Sequence, residues 1–174
     1  MSAKNTFEWR YPRLIAHRGG GYLAPENTLA AMRCGHEYGF SMVEFDVKLS
    51  QDNMLVLMHD DTVDRTSNGI GLAASKTFRE LSELDFGGWH SAFYTGEPIP
   101  TFVSVARFTQ ENNIFCNIEI KPCPNRETET GTLVAKAAKQ WWLHSHLPPL
   151  LSSFSLEALA AAKQAAPELP RAFL

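Results

Sequence analysis

The chain has 174 residues, 44% of them hydrophobic, which is enough for one domain with a sizeable core. That excludes a disordered chain, a collagen-like chain and a small disulfide scaffold. With 16 basic against 19 acidic residues the net charge is -3, so no whole-protein basic field points to nucleic acid or an anionic membrane. Any phosphate-binding function must therefore come from local positive groups. The opening stretch MSAKNTFEWRYPR carries Lys4, Glu8, Arg10 and Arg13 and lacks the apolar segment of a signal peptide. No apolar run approaches the about 18 residues a membrane span needs. Cys34, Cys116 and Cys123 are odd in number without CxxC spacing, which suits free thiols in a reducing cytoplasm.

Arg13–Arg18 is a short apolar run, cut off by Gly19-Gly20-Gly21. Pro25-Glu26-Asn27-Thr28 predicts the start of a helix, with Asn27 as N-cap, running to Gly39. Met42–Ser50 alternates like a strand, Gln51-Asp52-Asn53 is turn chemistry, and Met54–Met58 is a second apolar run. So short a link cannot hold a crossover helix, so the two runs predict an antiparallel hairpin. Residues 61–99 are polar and glycine-rich and predict an irregular insertion with one short helix around Thr77–Leu84. Phe102, Val105 and Ala106 fall at helical spacing on a helix ending near Asn112, and Phe115–Lys121 is a strand. Leu133, Val134, Ala137 and Trp141 form a helical stripe, Pro149–Phe154 is a strand, and Leu156, Leu159 and Ala160 mark another helix. Arg171–Leu174 reads as a strand just beginning. The alternation of strand and helix implies a parallel α/β fold.

Charged residues fall in a pattern. Glu44 and Asp46 are two apart on one predicted strand, and Glu119 and Lys121 two apart on another, so each pair shares a face. His17-Arg18 and His59-Asp60 close two further apolar runs. Carboxylates inside buried strands are costly unless paired or bound to a cation. In a β/α barrel such strand ends meet around one mouth, where active sites lie. Plainer readings stand beside these: Glu44 and Asp46 on a solvent-facing edge, Glu119 and Lys121 as a mere salt bridge, His17 as a core histidine, His59 as a turn residue held by Asp60. His36, His90, His144 and His146 read as helix or loop-surface residues, and Trp141-Trp142 as core and rim. One edge strand does not account for charged ends in four segments. Three carboxylates with no Cys and no clustered His suit one hard divalent cation, Mg²⁺ or Ca²⁺. Arg18 and Lys121 beside it would neutralise an anion, and two histidines would supply base and acid, a set suited to cleaving a phosphodiester.

His17-Arg18-Gly19, Pro25-Glu26-Asn27-Thr28, then Glu44, Asp46 and Val47, then His59-Asp60 follow one another along the chain. After them come Arg65-Thr66, Glu80-Leu81, Leu84-Asp85 with Gly87 and Trp89, Gly96-Glu97 with Ile99-Pro100-Thr101, and Glu119-Ile120-Lys121. In this order they resemble the glycerophosphodiester phosphodiesterase family, above all its cytoplasmic bacterial form, from about residue 13 onward. The resemblance implies a TIM-type barrel with an insertion after the second strand. It also implies hydrolysis of glycerophosphodiesters to an alcohol and sn-glycerol 3-phosphate, with internal attack by the neighbouring glycerol hydroxyl through a cyclic phosphate. By position, Glu44, Asp46 and Glu119 would be the metal ligands, His17 and His59 the general acid/base pair, and Arg18 and Lys121 phosphate-binding. Glu26 and Asn27 would contact substrate or support the site. Asn53 stands where such hairpins usually have Gly, and Ser67 where a second Thr is common.

A complete barrel of this kind takes about 250 residues and eight strands. The expected barrel strands here are 13–18, 42–48, 115–121, 149–154 and 171–174, which makes the barrel incomplete, five of eight. The chain is therefore expected to be a fragment or a naturally shortened product, with open edges at Arg13–Arg18 and Arg171–Leu174 that invite self-association. The alternative to an enzyme is a non-catalytic half-barrel that works only by association with another chain.

Overall fold

The computed structural model describes residues 9–142, 145–146 and 148–174; the opening stretch with Lys4 and Glu8, and His144, lie outside the described residues. Helix α1 (Leu29–Glu37) starts at Thr28, whose hydroxyl accepts the Ala31 N–H. The expected cap, Asn27, does not cap: it sits at φ +58, and its side chain bonds Asp46 instead. Strand β1 (Met42–Leu49) is buried along its whole length. It returns as β2 (Leu55–Leu57) in the expected antiparallel hairpin, with Val47 opposite Leu57 and Leu49 opposite Leu55. Asn53, at the position where the resemblance calls for Gly, adopts φ +62, a left-handed conformation that Asn tolerates.

The stretch after β2 is irregular, as its composition predicts, and carries a short helix, α2 (Phe78–Ser82), closed by a capping box between Thr77 and Glu80. It has a small core of its own, with Val63, Ala73, Leu81, Phe86 and Ile99 packed against Val56 and Met58. Alternation then follows: α3 (Phe102–Glu111), β3 (Phe115–Ile120), α4 (Glu127–Trp142), β4 (Leu150–Ser153), α5 (Leu156–Ala165) and β5 (Arg171–Phe173). The sheet has the order β2-β1-β3-β4-β5, and every pairing except the hairpin is parallel.

Period-two alternation splits the sheet into two chemically distinct faces. Val43, Phe45, Val47, Cys116, Ile118, Ile120 and Leu151 join the main core with Phe102, Val105, Val134, Ala138 and Ala158 from the helices. The intervening residues Glu44, Asp46, Lys48, Asn117, Glu119 and Ser152 are also buried, so the opposite face is polar and enclosed. This is the inside/outside division of a β/α barrel, here formed by five strands and so incomplete.

Two further expectations need correction. Arg13–Arg18 is not a strand: it contributes one parallel bridge, Ala16 with Val43, and the fifth place in the sheet is taken by β2. The chain leaves after that single pair because Arg18 turns to φ +51 and Gly19 to φ +90. On α4 the buried line is Thr130, Val134, Ala138 and Trp142, while Leu133, Ala137 and Trp141 are only partly covered. Helix α5 forms where Leu156, Leu159 and Ala160 mark it; its buried residues are Ala158, Ala161 and Ala162, with Leu156 exposed. The small-residue inner faces of α4 and α5 have one cause. A Cβ at Gly131 would lie 2.2 Å from the Ala158 carbonyl oxygen, so the two helices touch backbone to backbone and only small residues fit between them.

A similar contact sets the loop that carries His17 and Arg18. A Cβ on Gly35 of α1 would lie 2.1 Å from the Gly19 carbonyl oxygen, and backbone cannot yield as a side-chain tip can. Gly35→Ala should therefore destabilise the protein by about 1–3 kcal/mol, the usual cost of overpacking, read as a lowered urea midpoint. An unchanged midpoint would mean that α1 does not seat this loop.

Candidate active site

Parallel register brings the carboxylates together. Asp46 on β1 stands opposite Glu119 on β3, and Glu44 is two residues before Asp46 on the same face. Oxygens of Glu44, Asp46 and Glu119 all lie within 4.8 Å of one another, and all three residues are buried. The solvent-facing-edge reading thus fails for Glu44 and Asp46, which lie on an interior strand. Each carboxylate has one oxygen pinned by a neighbour. Glu44 Oε2 accepts the Arg18 backbone N–H (2.9 Å), Asp46 Oδ2 accepts Asn27 Nδ2 (2.8 Å), and Glu119 Oε1 accepts Lys121 Nζ (2.9 Å). The second oxygens, Glu44 Oε1, Asp46 Oδ1 and Glu119 Oε2, enter no hydrogen bond among the described residues.

Burial, together with the charges of Asp46 and then Glu119, pushes the Glu44 carboxyl up to about 8, against the Arg18 backbone bond and charge. Without a cation, this cluster carries a carboxyl that resists ionisation at neutral pH. Arg18 lies beside it: its Nε is 3.6 Å from Asp46 Oδ2 and is buried without a hydrogen-bond partner among the described residues, while Nη1 donates to Glu26 Oε1 at 2.8 Å. An all-oxygen donor set, buried, with one carboxyl pushed up by burial and by its acidic neighbours, fits a hard divalent cation. Mg²⁺ and Ca²⁺ both meet that description.

The structure places the remaining sequence-derived residues as follows. His17 is no core histidine: its side chain is 69% exposed, with Nε2 3.9 Å from Glu44 Oε2. Asn27 grips Asp46 twice, donating from Nδ2 and accepting the Asp46 backbone N–H at 3.0 Å. Lys121, besides its bond to Glu119, lies 5.5 Å from the centre of the Phe154 ring. The salt-bridge reading of Glu119 and Lys121 is thus observed together with the cluster, not instead of it. His59 joins the others through a relay: Nδ1 meets Asp60 Oδ1 at 2.7 Å, and Asp60 is held by Arg65, which also holds Glu26. His36 and His146 are surface residues, and Trp142 and Trp141 form core and rim as expected.

Sequence reasoning missed Lys48, Arg65 and Ser152 as parts of the site's frame. Lys48 extends the Glu44, Asp46 alternation by one step; it is fully buried and bonds the Asp60 carbonyl and Asp61 Oδ1 (3.1 Å). Ser152 stands opposite Glu119 on β4 and donates to Asn117 Oδ1 at 2.8 Å. Both were open to the period-two rule. Arg65 carried no such signal.

Fold and site together define a β/α-barrel protein whose mouth gathers carboxylates, cationic side chains and histidines. The sequence profile of the glycerophosphoryl diester phosphodiesterase family matches residues 17–174, and the chain belongs to that family. A glycerophosphodiester phosphodiesterase of Caldanaerobacter subterraneus subsp. tengcongensis is 36% identical over 156 residues, 90% of this chain and 63% of its own length. An Oleispira antarctica phosphodiesterase, solved in complex with the product sn-glycerol-3-phosphate, superposes with a TM-score of 0.89 at 40% identity, over 93% of this chain and 65% of the other. A glycerophosphodiester phosphodiesterase from Agrobacterium tumefaciens gives 0.75 at 28% identity, over 90% and 64%. The chain thus spans a little under two thirds of the length of these relatives.

The raised Glu44 carboxyl predicts a stability slope. Between about 4.5 and 8 the unfolded chain loses a proton that the cation-free native state keeps, so stability falls as pH rises through that window. In EDTA the urea midpoint should drop from pH 5 to pH 8, and Glu44→Gln should flatten the drop. A wild-type midpoint that rises over this range would contradict the assignment of Glu44.

Proposed function

We propose that the protein hydrolyses glycerophosphodiesters to an alcohol and sn-glycerol 3-phosphate in the cytoplasm. The observation that carries this reading is the convergence of Glu44, Asp46 and Glu119 beside Arg18 and Lys121, in a chain of this family. The product bound to the Oleispira relative supports the choice of substrate class. The free cysteines Cys34, Cys116 and Cys123 fit a reducing compartment.

Glu44, Asp46 and Glu119 would hold one divalent cation, Mg²⁺ or Ca²⁺, which when bound supplies Lewis-acid stabilisation of phosphoryl charge. Arg18 and Lys121 bind the non-bridging phosphate oxygens, and Glu26 and Asn27 hold Arg18 and Asp46 in place for that task. His17 and His59 divide the proton work: one takes the proton from the attacking hydroxyl as the new O–P bond forms, and the other gives a proton to the departing alkoxide as the old P–O bond breaks. If the attacker is the neighbouring glycerol hydroxyl, a cyclic phosphate forms and water then opens it.

A second reading, function by association with another chain, is favoured by the exposure of Phe154, Leu156, Phe173 and Leu174 around β4, α5 and β5. Light scattering of the purified protein tests it, since a monodisperse monomer at micromolar concentration would exclude it.

Release of sn-glycerol 3-phosphate from glycerophosphocholine should be abolished by EDTA and restored by Mg²⁺ or Ca²⁺. Full activity in Glu44→Gln combined with Asp46→Asn would refute the ligand assignment. His17→Ala and His59→Ala should each lower kcat by about 10²–10⁴-fold with the urea midpoint little changed. Phosphodiesters lacking a hydroxyl next to the ester should be poor substrates; equal rates would make water the direct nucleophile.

A further inference from the structure

Arg65 stands outside the set of groups just assigned, yet every arm of its guanidinium is committed within it. Nε and Nη2 donate to Asp60 Oδ2 and Oδ1 at 2.7 and 3.0 Å, and Nη1 and Nη2 donate to Glu26 Oε2 and Oε1 at 2.8 Å each. Two carboxylates are thus gripped in fork geometry by one side chain, which a lysine ammonium cannot reproduce. Beyond Glu26 lies Arg18, whose Nη1 donates to Glu26 Oε1 at 2.8 Å. Beyond Asp60 lies His59, with Nδ1 2.7 Å from Oδ1.

The chemistry of this chain of contacts fixes a proton. The bonds from Arg65 draw the Asp60 carboxyl well below the usual range despite partial burial, and its bonds to Glu26 and Asp60 push the Arg65 guanidinium up. An ionised carboxylate only accepts hydrogen bonds, so His59 Nδ1 must be the donor. In the neutral ring Nε2 then carries the lone pair. That is the reverse of the tautomer a neutral imidazole prefers in water, and the contact with Asp60 selects it.

We infer that Arg65 is a positioning residue: by clamping Asp60 and Glu26 together, it sets the His59 tautomer on one side of the site and the Arg18 guanidinium on the other. It ties the proton-transfer group to the phosphate-binding group without touching the substrate, because four of its five N–H donors already go to carboxylates. This inference rests on the phosphodiesterase reading for its kinetic consequence, while the tautomer is observable without activity.

Nitrogen NMR of the folded protein reads the tautomer directly. His59 in the wild type should show a protonated Nδ1 and an unprotonated Nε2 above its titration, and Arg65→Ala should move it toward the opposite form. In kinetics with glycerophosphocholine, Arg65→Ala should lower kcat about 10–100-fold, the usual loss when a partner that orients a working group is removed. Loosening of Glu26, and through it of Arg18, should raise KM and weaken the affinity for sn-glycerol 3-phosphate, but by less than kcat falls. Arg65→Lys should not recover kcat, whereas added guanidinium ion at concentrations below those that unfold the protein should partly restore Arg65→Ala. The loss should also shrink in an Asp60→Asn background, because both changes cut the same relay. An unchanged His59 tautomer, or a loss confined to KM and product affinity, would overturn the inference, the latter by making Arg65 a direct phosphate ligand. A kcat unaffected by His59→Ala would instead count against the phosphodiesterase reading and leave the tautomer result standing.

Discussion

Three carboxylates crowded on the inner face of a sheet repel one another, and much of the surrounding structure answers that repulsion. The crowding follows from register: pairing of Asp46 with Glu119 on adjacent parallel strands leaves no freedom to separate them. Slipping β3 by one residue would bring Ile118 or Ile120 inward and send the carboxylate into the apolar core. The strands are therefore locked by their outer faces into a register that their inner faces, taken alone, would oppose. Pinning one oxygen of each acid by Arg18, Asn27 and Lys121 limits the repulsion without removing it.

The loops serve the same constraint. Arg18 and Asn27 both sit at positive φ, an unusual conformation for residues with side chains. In exchange, Arg18 delivers its backbone N–H to Glu44 while its guanidinium lies against Asp46, and Asn27 meets Asp46 with both ends of its amide. Strain of this kind persists where the surroundings over-determine it, and here the surroundings are buried charge.

The strand alternation and the hairpin were legible in the sequence because period two is a local property of the chain, while the grouping of Glu44, Asp46 and Glu119 followed from strand ends that meet at a barrel mouth and from the family resemblance. Asn27 was misread as a cap because its residue type suits capping; the competing claim came from Asp46, which lies 19 positions away. The buried line on α4 was misplaced because large apolar residues ordinarily mark the inner face of a helix. Here a glycine–alanine contact brings the backbones so close that bulk is turned aside. Arg13–Arg18 has the apolar content of a strand, but the left-handed turn at Arg18 lies beyond what composition reports. Arg65, in a polar stretch without periodicity, could be placed only by its partners in space.

Lys48 gives the two walls of the site different mobilities. Its ammonium is sealed from solvent and holds both the Asp60 carbonyl and the Asp61 carboxylate, so movement of the segment bearing His59 would strip a buried charge of both bonds. His17 has no such anchor, and its side chain is largely in water. Fast rearrangement, on the nanosecond scale of exposed side chains, is thus confined to the His17 wall, whereas the His59 wall moves only when the hairpin itself opens. A ligand entering the mouth meets one fixed side and one that can adjust, so differences in size among bound groups should be absorbed on the His17 side.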